Sequence, residues 1–437
     1  MSDERLLSPN HESPARPTLT RRAVLAGAAG AMGAAALRRA GLAQTPAQST
    51  PAGKPAPPAE AMPPDPTRVQ GRVPSELGQR SPHEQPRRRV NRAAPSGESE
   101  TPLQDLEGII TPSDLHYERH HGGVPEIDPR SYSLLIHGMV ERPTVFTLQD
   151  LKRFPARSQI YFLECSGNGF RGYRSIKPEW TPQQLDGLTS TSDWGGVPLS
   201  TLFKEVGIKS GASWFLAEAI DAAGYARSIP LAKGWDDAMI AFRQNGEAIR
   251  PEQGYPARLL LPGWEGSASV KWIRRIEVSD RPFMTREETS KYTDPLADCS
   301  ARLFSFEMDT KSLITFPAYP IVLPERGWWE ITGIAWSGRG KITRVDVSTD
   351  GGQSWQPAEL QEPVLPICHT RFRYLWNWRG DATLLMSRAS DETGYIQPTL
   401  AQVRDARGAG TFYHHNNIRA WRVEPDGRVF FGLEPLA

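Results

Sequence analysis

Tyr161-Phe162-Leu163-Glu164-Cys165-Ser166-Gly167-Asn168-Gly169 reads as an apolar strand running straight into a small-residue loop led by a cysteine. Such a junction presents a thiol at the rim of a sheet. One cysteine cannot by itself hold zinc or an iron–sulfur cluster, whereas a single soft thiolate suits a metal already bound by other sulfur atoms. Free cysteine is also among the most buried residue types, so the loop alone leaves a packing role and a ligand role both open.

Working outward, short β-rich runs at 132–136, 160–163, 214–220 and 257–261 are interleaved with a helical stretch at 198–206. That mixture predicts an α+β domain. Beyond about residue 295 the pattern changes to strands rich in aromatic and β-branched residues, separated by Gly, Asp and Pro turns. Examples are 328–336, 342–348 followed by Thr349-Asp350-Gly351-Gly352, and 410–423. Short strands with hairpin signals at this spacing predict an immunoglobulin-like β-sandwich.

The chain of 437 residues is long enough for two or three domains. Its 51 basic and 50 acidic side chains give a formal charge of +1. That balance offers no argument for a nucleic-acid partner or a membrane surface. The three cysteines, Cys165, Cys299 and Cys368, make no C-x-x-C or C-x-x-C-H motif, which excludes a covalent c-type haem and a four-cysteine cluster in this chain. Whether Cys299 and Cys368 pair stays open.

At the amino terminus, Thr20-Arg21-Arg22-Ala23-Val24-Leu25 opens an alanine- and glycine-rich apolar stretch, and Gly41-Leu42-Ala43 offers small residues for a peptidase. Residues 1–43 read as a twin-arginine signal peptide, which predicts folded export and a periplasmic mature chain without an integral membrane segment. Residues 44–105 read as a disordered or surface-draped linker, with twelve prolines between Gln44 and Glu100 and no apolar periodicity. The run Arg87-Arg88-Arg89 is read there as a solvated charge run rather than a docking arm. A catalytic domain at 106–294 and a sandwich at 295–437 complete the expected organisation.

The loop Cys165-Ser166-Gly167-Asn168 resembles the C-[AS]-G-N element of the sulfite oxidase family, in which the cysteine ligates the molybdenum of a molybdopterin cofactor. Four further segments match in the family's order. Tyr117-Glu118-Arg119-His120-His121 is similar to its F-x-R-x-H element, implying Arg119 as the residue facing a substrate oxyanion and His120 and His121 as pterin contacts. Pro256-Ala257-Arg258-Leu259-Leu260-Leu261-Pro262-Gly263 resembles the segment whose arginine binds the pterin phosphate. Ser269-Val270-Lys271-Trp272 resembles the next pterin-binding element, and Tyr292, 21 residues after Lys271, falls where the family has an active-site tyrosine. Asp221 is a further pterin contact by resemblance, across loops of differing length.

The similarity runs from about Gly108 to the carboxyl terminus, including Gly340-Lys341-Ile342-Thr343-Arg344-Val345-Asp346-Val347-Ser348 in the sandwich, which implies a dimerisation module. Gly108-Ile109-Ile110-Thr111-Pro112-Ser113, Val124-Pro125-Glu126-Ile127-Asp128-Pro129 and Ile136-His137-Gly138-Met139-Val140-Glu141-Arg142-Pro143 are most similar to the sulfane dehydrogenase (SoxC) branch. That branch implies oxidation of carrier-bound sulfane sulfur by oxygen-atom transfer during thiosulfate oxidation. A homodimer within a heterotetramer and a c-type cytochrome (SoxD-like) as electron acceptor go with it.

One departure stands out. Vertebrate-type members carry an arginine five residues beyond the ligating cysteine, whereas here that place is Phe170, with Arg171 one further. A less cationic pocket suits a bulkier substrate than free sulfite. Trp180 is a candidate for the family's pocket tryptophan, although its spacing from Cys165 differs. The alternatives are a dehydrogenase of free sulfite, a methionine-sulfoxide reductase, which Tyr292 and the sandwich fit less well, and, from another class, a cofactor-free envelope binding protein that keeps the fold.

Overall fold

Phe162 and Leu163 are neighbours on one strand, so they face opposite ways. Phe162 packs into the core of the carboxyl-terminal sandwich, whereas Leu163 joins Tyr117, Trp194 and Leu260 in the amino-terminal domain. The strand Arg157–Glu164 therefore lies where the two domains meet. This arrangement is that of a computed structural model, which describes residues 70–432 apart from 93–95, 175, 297 and 409. The expected signal peptide, and the expected linker up to residue 69, lie outside the described residues. The described residues from 79 to 432 form one compact unit; 70–78, which belong to a separate unit, are exposed and carry no helix or strand.

The amino-terminal domain is α+β, as expected. One five-stranded sheet runs Thr144–Thr147, Ser133–Gly138, Ile273–Ser279, Trp214–Ala219, Ala226–Pro230, with a single parallel pair between Ser133–Gly138 and Ile273–Ser279. A second contains Arg157–Glu164, Thr189–Pro198, Met239–Gln244 and Glu247–Ala248, with Arg258–Leu260 pairing onto Met239–Gln244. The helix Leu199–Val206 buries Leu199, Leu202, Phe203 and Val206, an i, i+3, i+4, i+7 stripe that matches its apolar spacing. It ends at Gly207 in a positive-φ conformation, which glycine adopts without a Cβ penalty.

The carboxyl-terminal domain stacks the sheet Lys311–Phe316, Gly327–Trp336, Thr370–Trp378, Glu359–Gln361 on the sheet Gln356–Pro357, Ile342–Ser348, Thr383–Asp391, Ala420–Val423, Val429–Gly432. Trp336, Phe372, Trp421 and Phe431 fill the space between them. Among the described residues no helix is long and apolar enough to cross a membrane.

Two expectations change. The stretch 44–105 is not all linker: Arg89–Arg92, Glu98–Glu100 and Glu118–Arg119 form a three-stranded antiparallel sheet. Polar side chains hold it together, which is why no apolar alternation announces it. Asn91 donates to Glu98 (3.1 Å) and Glu100, and Arg89 pairs with Glu100 at 3.3 Å. Two arginines of the run are accordingly engaged while Arg87 stays exposed, with Arg88 donating to the His116 carbonyl at 3.3 Å and pairing with Glu118 at 3.3 Å. The second change is that 410–423 is strand only over Ala420–Val423. The residues before it spend their polar groups elsewhere: His414 on Glu265 (2.9 Å), Asn416 on the Thr310 carbonyl (3.2 Å) and Thr411 on Asp294 (3.1 Å).

Candidate active site

Cys165 leaves the end of its strand into a loop closed by its backbone and by the Asn168 side chain. Its N–H donates to the Leu188 carbonyl at 2.9 Å, and its carbonyl accepts from the Asn168 N–H at 2.8 Å. The Asn168 amide donates to Glu164 Oε1 (2.9 Å) and the Asp186 carbonyl (3.0 Å) and accepts from the Leu188 N–H (3.0 Å). Gly169 has φ +88°, and a Cβ there would strike the Arg419 guanidinium, the Asp186 carboxylate and the His415 carbonyl. Glycine at position 169 is thus a packing requirement.

The thiol lines two cavities. The inner one is walled by Tyr117, Tyr225, Gln253, Val270 and Trp272, together with Arg119, His120, His121, Asp221, Arg258, Ser269, Lys271 and Tyr292. The outer cleft is bounded by the Cys165–Arg171 loop, Glu98, Glu100, Lys291, Phe412 and Tyr413. Arg119, His121, Cys165 and Tyr292 line both. All ten site residues expected from sequence therefore converge on one place.

The wall of the inner cavity also carries two cations, Arg258 buried and Lys271 half-buried. Arg258 donates to the carbonyls of Gln253 and Ser269, each at 2.9 Å, and Lys271 Nζ to the Glu252 carbonyl at 2.8 Å. Among the described residues no carboxylate lies within ion-pair distance of either. Burial pulls the Arg258 guanidinium down to about 10, and burial with the neighbouring Arg258 charge pulls the Lys271 ammonium down to about 7. Two cations that meet carbonyl dipoles and tryptophan faces, with no carboxylate in ion-pair contact, are incomplete without an anion. A terminal phosphate supplies one, and aromatic and aliphatic walls suit a flat heterocycle. The residues present fit a molybdopterin whose metal takes the Cys165 thiolate.

The remaining inner residues divide between wall and scaffold. His121 stacks on Tyr225 (5.8 Å between centroids) and places Nε2 3.4 Å from the Tyr292 hydroxyl. Burial and Arg119 push His121 down to about 4, so its ring is neutral at pH 7. Asp221 accepts from the Tyr225 N–H at 3.1 Å. His120 is braced, with Nδ1 accepting from the Gly97 N–H at 3.2 Å and Nε2 2.9 Å from Glu118. Ser269 Oγ accepts from the Leu261 N–H at 2.9 Å. Burial raises the Cys165 thiol to about 11 against the pull of Arg119, so it needs a metal's charge to ionise. Burial, then Tyr225, holds the Tyr292 hydroxyl well above its ordinary value. Arg227 lies 4.7 Å over the Tyr292 ring.

In the outer cleft Phe170 stacks on Phe412 at 5.6 Å, and Arg174 caps Phe412 at 4.0 Å. Arg171 turns to Glu100, to the Gln184 carbonyl (2.8 Å) and to Glu98 (3.4 Å). Arg119 donates to Ser96 (3.1 Å) and lies 3.8 Å from Glu98. Trp180 is not on the cleft wall as proposed; it stands behind Arg171 at 5.7 Å and packs against the sandwich core. Sequence reasoning missed Ser96, Glu98 and Glu100, which lie in the supposed linker, and Phe412 and Tyr413, which lie in the supposed strand. Tyr225 and Gln253 carried a usable signal, each being within five residues of a recognised position. Cys299 and Cys368 are both free thiols, one exposed and one buried.

Two family models match the chain: an oxidoreductase molybdopterin binding domain over residues 121–287 and a Mo-co oxidoreductase dimerisation domain over 302–420. Among solved structures, the sulfane dehydrogenase SoxCD from Paracoccus pantotrophus aligns with a TM-score of 0.78 and 43% identity, covering 86% of this chain and 100% of that one. Curated relatives include an NADH nitrate reductase from Phaseolus vulgaris, 33% identical over 313 residues, and one from Ulva prolifera, 31% identical over 349 residues. These alignments take in 64% and 69% of this chain but only 35% and 40% of the relatives' own lengths.

Proposed function

The chain belongs to the sulfite oxidase family of molybdopterin oxidoreductases, and from that membership we propose that it is the molybdenum subunit of a periplasmic sulfane dehydrogenase. Its substrate is sulfane sulfur held on the cysteine of a carrier protein, and its electrons pass to a c-type cytochrome subunit. The likeness to the SoxCD chain supports this branch, and a twin-arginine leader at 1–43 supports export. The dimerisation module supports a pair of these subunits at the centre of the assembly.

The cofactor, when bound, supplies oxygen-atom transfer to sulfur coupled to a two-electron change. The lining of the two cavities supports the protein's own part. Cys165 would ligate the metal, and Arg258 and Lys271 would hold the phosphate end, with His120, His121, Asp221, Ser269 and Val270 around the pterin. Arg119, at the junction of the two cavities, orients the oxygens that accumulate on sulfur. Tyr292 keeps its proton and donates it as a hydrogen bond beside His121, which steadies the product anion.

The observation that carries the substrate reading is the outer cleft. An aromatic pair, Phe170 and Phe412, stands on its wall, and Arg171 is spent on Glu98 and Glu100. Loss of a charge-assisted contact to a small dianion costs about 1.5–3 kcal/mol, roughly tenfold to a hundredfold in affinity, whereas a carrier recovers binding through surface contacts. Steady-state cytochrome c reduction is therefore expected to saturate weakly with free sulfite and strongly with sulfane-loaded carrier, and Phe170→Arg is expected to lower the KM for sulfite. Micromolar saturation by sulfite, with no response to the loaded carrier, overturns the proposal in favour of a free-sulfite dehydrogenase. Arg119 and Lys291 on the same cleft favour that second reading.

A further inference from the structure

The outer cleft holds two guanidiniums and two carboxylates whose pairing has a consequence for specificity. Arg171 lines the cleft with its side chain only 26% exposed. Both Nη groups are engaged, Nη1 by Glu100 and the Gln184 carbonyl, Nη2 by Glu98 at 3.4 Å. The carboxylates are themselves fixed from behind. Asn91 donates to both, Arg89 lies 3.3 Å from Glu100, and the Glu100 side chain is 1% exposed. Glu98 also faces Arg119 at 3.8 Å, so one acidic strand, Glu98–Glu100, serves both arginines of the cleft.

We propose that Glu98 and Glu100 are specificity-determining residues that withhold Arg171 from small oxyanions. This rests on the reading of the outer cleft as the approach of the sulfur substrate. A free dianion approaching Arg171 meets both Glu98 and Glu100, and one approaching Arg119 meets Glu98, and like charges within a few ångströms disfavour it. A sulfur atom carried on a neutral peptide segment brings no such charge and meets no such opposition. Phe170 carries no charge, and the carboxylate pair occupies the cation next to it.

The test is calorimetric titration of sulfate into the holoenzyme, which needs no turnover. Wild type, Arg171→Gln, Glu98→Gln and the double variant Glu98→Gln/Arg171→Gln are compared, with molybdenum content and melting temperature as controls. Arg171→Gln alone is expected to leave sulfate affinity within about twofold of wild type, because the residue is already withheld. Glu98→Gln is expected to tighten sulfate about tenfold, a gain of the size of one charge-assisted contact, and the gain should vanish in the double variant. Three results overturn the proposal: a tenfold loss on Arg171→Gln alone, no tightening in a folded, metal-replete Glu98→Gln, or a gain that survives the double substitution and so belongs to Arg119. If Glu98→Gln fails to fold, the partly exposed Arg171→Gln still decides the first point. Substrate preference is read separately from the cytochrome assay, so a failure there leaves this titration interpretable.

Discussion

At the scale of single residues, the site sets charged and ionisable groups in places that raise their cost until a ligand arrives. Cys165 is a protonated thiol in the protein alone, raised to about 11. Cys165→Ser changes one atom at the metal and leaves the packing of Glu164, Asn168 and Leu188 in place. It is expected to leave the melting temperature within about 2 °C while turnover falls by more than a hundredfold, and near-normal turnover at full molybdenum occupancy refutes the ligand role. Lys271 gives a pH signature. Unfolded lysine titrates near about 10.4, whereas burial lowers the folded group to about 7. Between those values the unfolded chain holds the extra proton, so cofactor-free protein gains stability as pH rises from about 7 to about 10, and below about 7 the contribution is flat. Lys271→Met removes that slope. Chemical denaturation of the two cofactor-free proteins across this range should show wild type gaining on the variant, and a constant difference means that Lys271 is not a desolvated cation. The bound phosphate reverses the preference by stabilising the ammonium, so cofactor uptake near pH 8 should be accompanied by proton uptake that Lys271→Met lacks. Arg258→Ala and Lys271→Ala should both lower molybdopterin occupancy more than they lower the stability of the empty protein.

At the scale of elements, the parts with an apolar rhythm were legible in the sequence and the parts built on charge were not. The stripe of Leu199, Leu202, Phe203 and Val206 gave its helix to within a residue, and the runs at 214–220 and 342–348 gave strands with nearly the same bounds. Nothing comparable marks Arg89–Arg92 and Glu98–Glu100, whose sheet is held by Arg89, Asn91 and the two glutamates, so its contribution to the cleft was hidden. Phe412 and Tyr413 sit in a stretch with strand-like composition, and the engagement of Thr411, His414 and Asn416 with Asp294, Glu265 and the Thr310 carbonyl explains why it stays irregular. The loop after Cys165 lies between these cases. Its glycines were visible, but their reason was not, because Gly169 is confined by Arg419 and Asp186, distant in sequence. Gly169→Ala needs an unfavourable positive φ and displaces that buried pair. Cost is expected at about 2–4 kcal/mol in denaturation with loss of molybdenum, combining left-handed strain with disruption of a buried ion pair. Gly224→Ala, also at positive φ but with no atom within 4 Å of its added Cβ, isolates the backbone part and should cost about 1 kcal/mol. Equal effects of the two substitutions mean that crowding at Gly169 plays no part.

At the scale of the whole molecule, the two domains are joined by charge directly beneath the metal-ligand loop. Glu164 and Asp186 come from the catalytic domain, Lys311 and Arg419 from the sandwich, and all four side chains are at most 2% exposed. Lys311 lies 3.2 Å from Glu164 and 2.5 Å from Asp186, Arg419 lies 3.1 Å from Asp186, and the Trp336 indole donates to Glu164 at 2.6 Å. The box is neutral only when complete, and Asn168 connects it to the loop that carries Cys165. Such a group specifies one relative placement of the domains, since any shift leaves a buried charge unpaired. Together with Phe162 in the sandwich core, it predicts a single cooperative unfolding transition for the described residues from 79 to 432. Lys311→Met leaves one net negative charge buried and is expected to cost about 3–5 kcal/mol, the usual penalty for removing one partner of a buried pair. Adding Glu164→Gln restores neutrality and keeps an acceptor for Trp336, so the double variant should regain at least about half of that loss in a denaturant titration, with molybdenum content recovering in parallel. A Lys311→Met protein within about 0.5 kcal/mol of wild type shows that packing alone fixes the domains. Loss of stability without any recovery in the double variant instead assigns the cost to the lysine's shape rather than its charge.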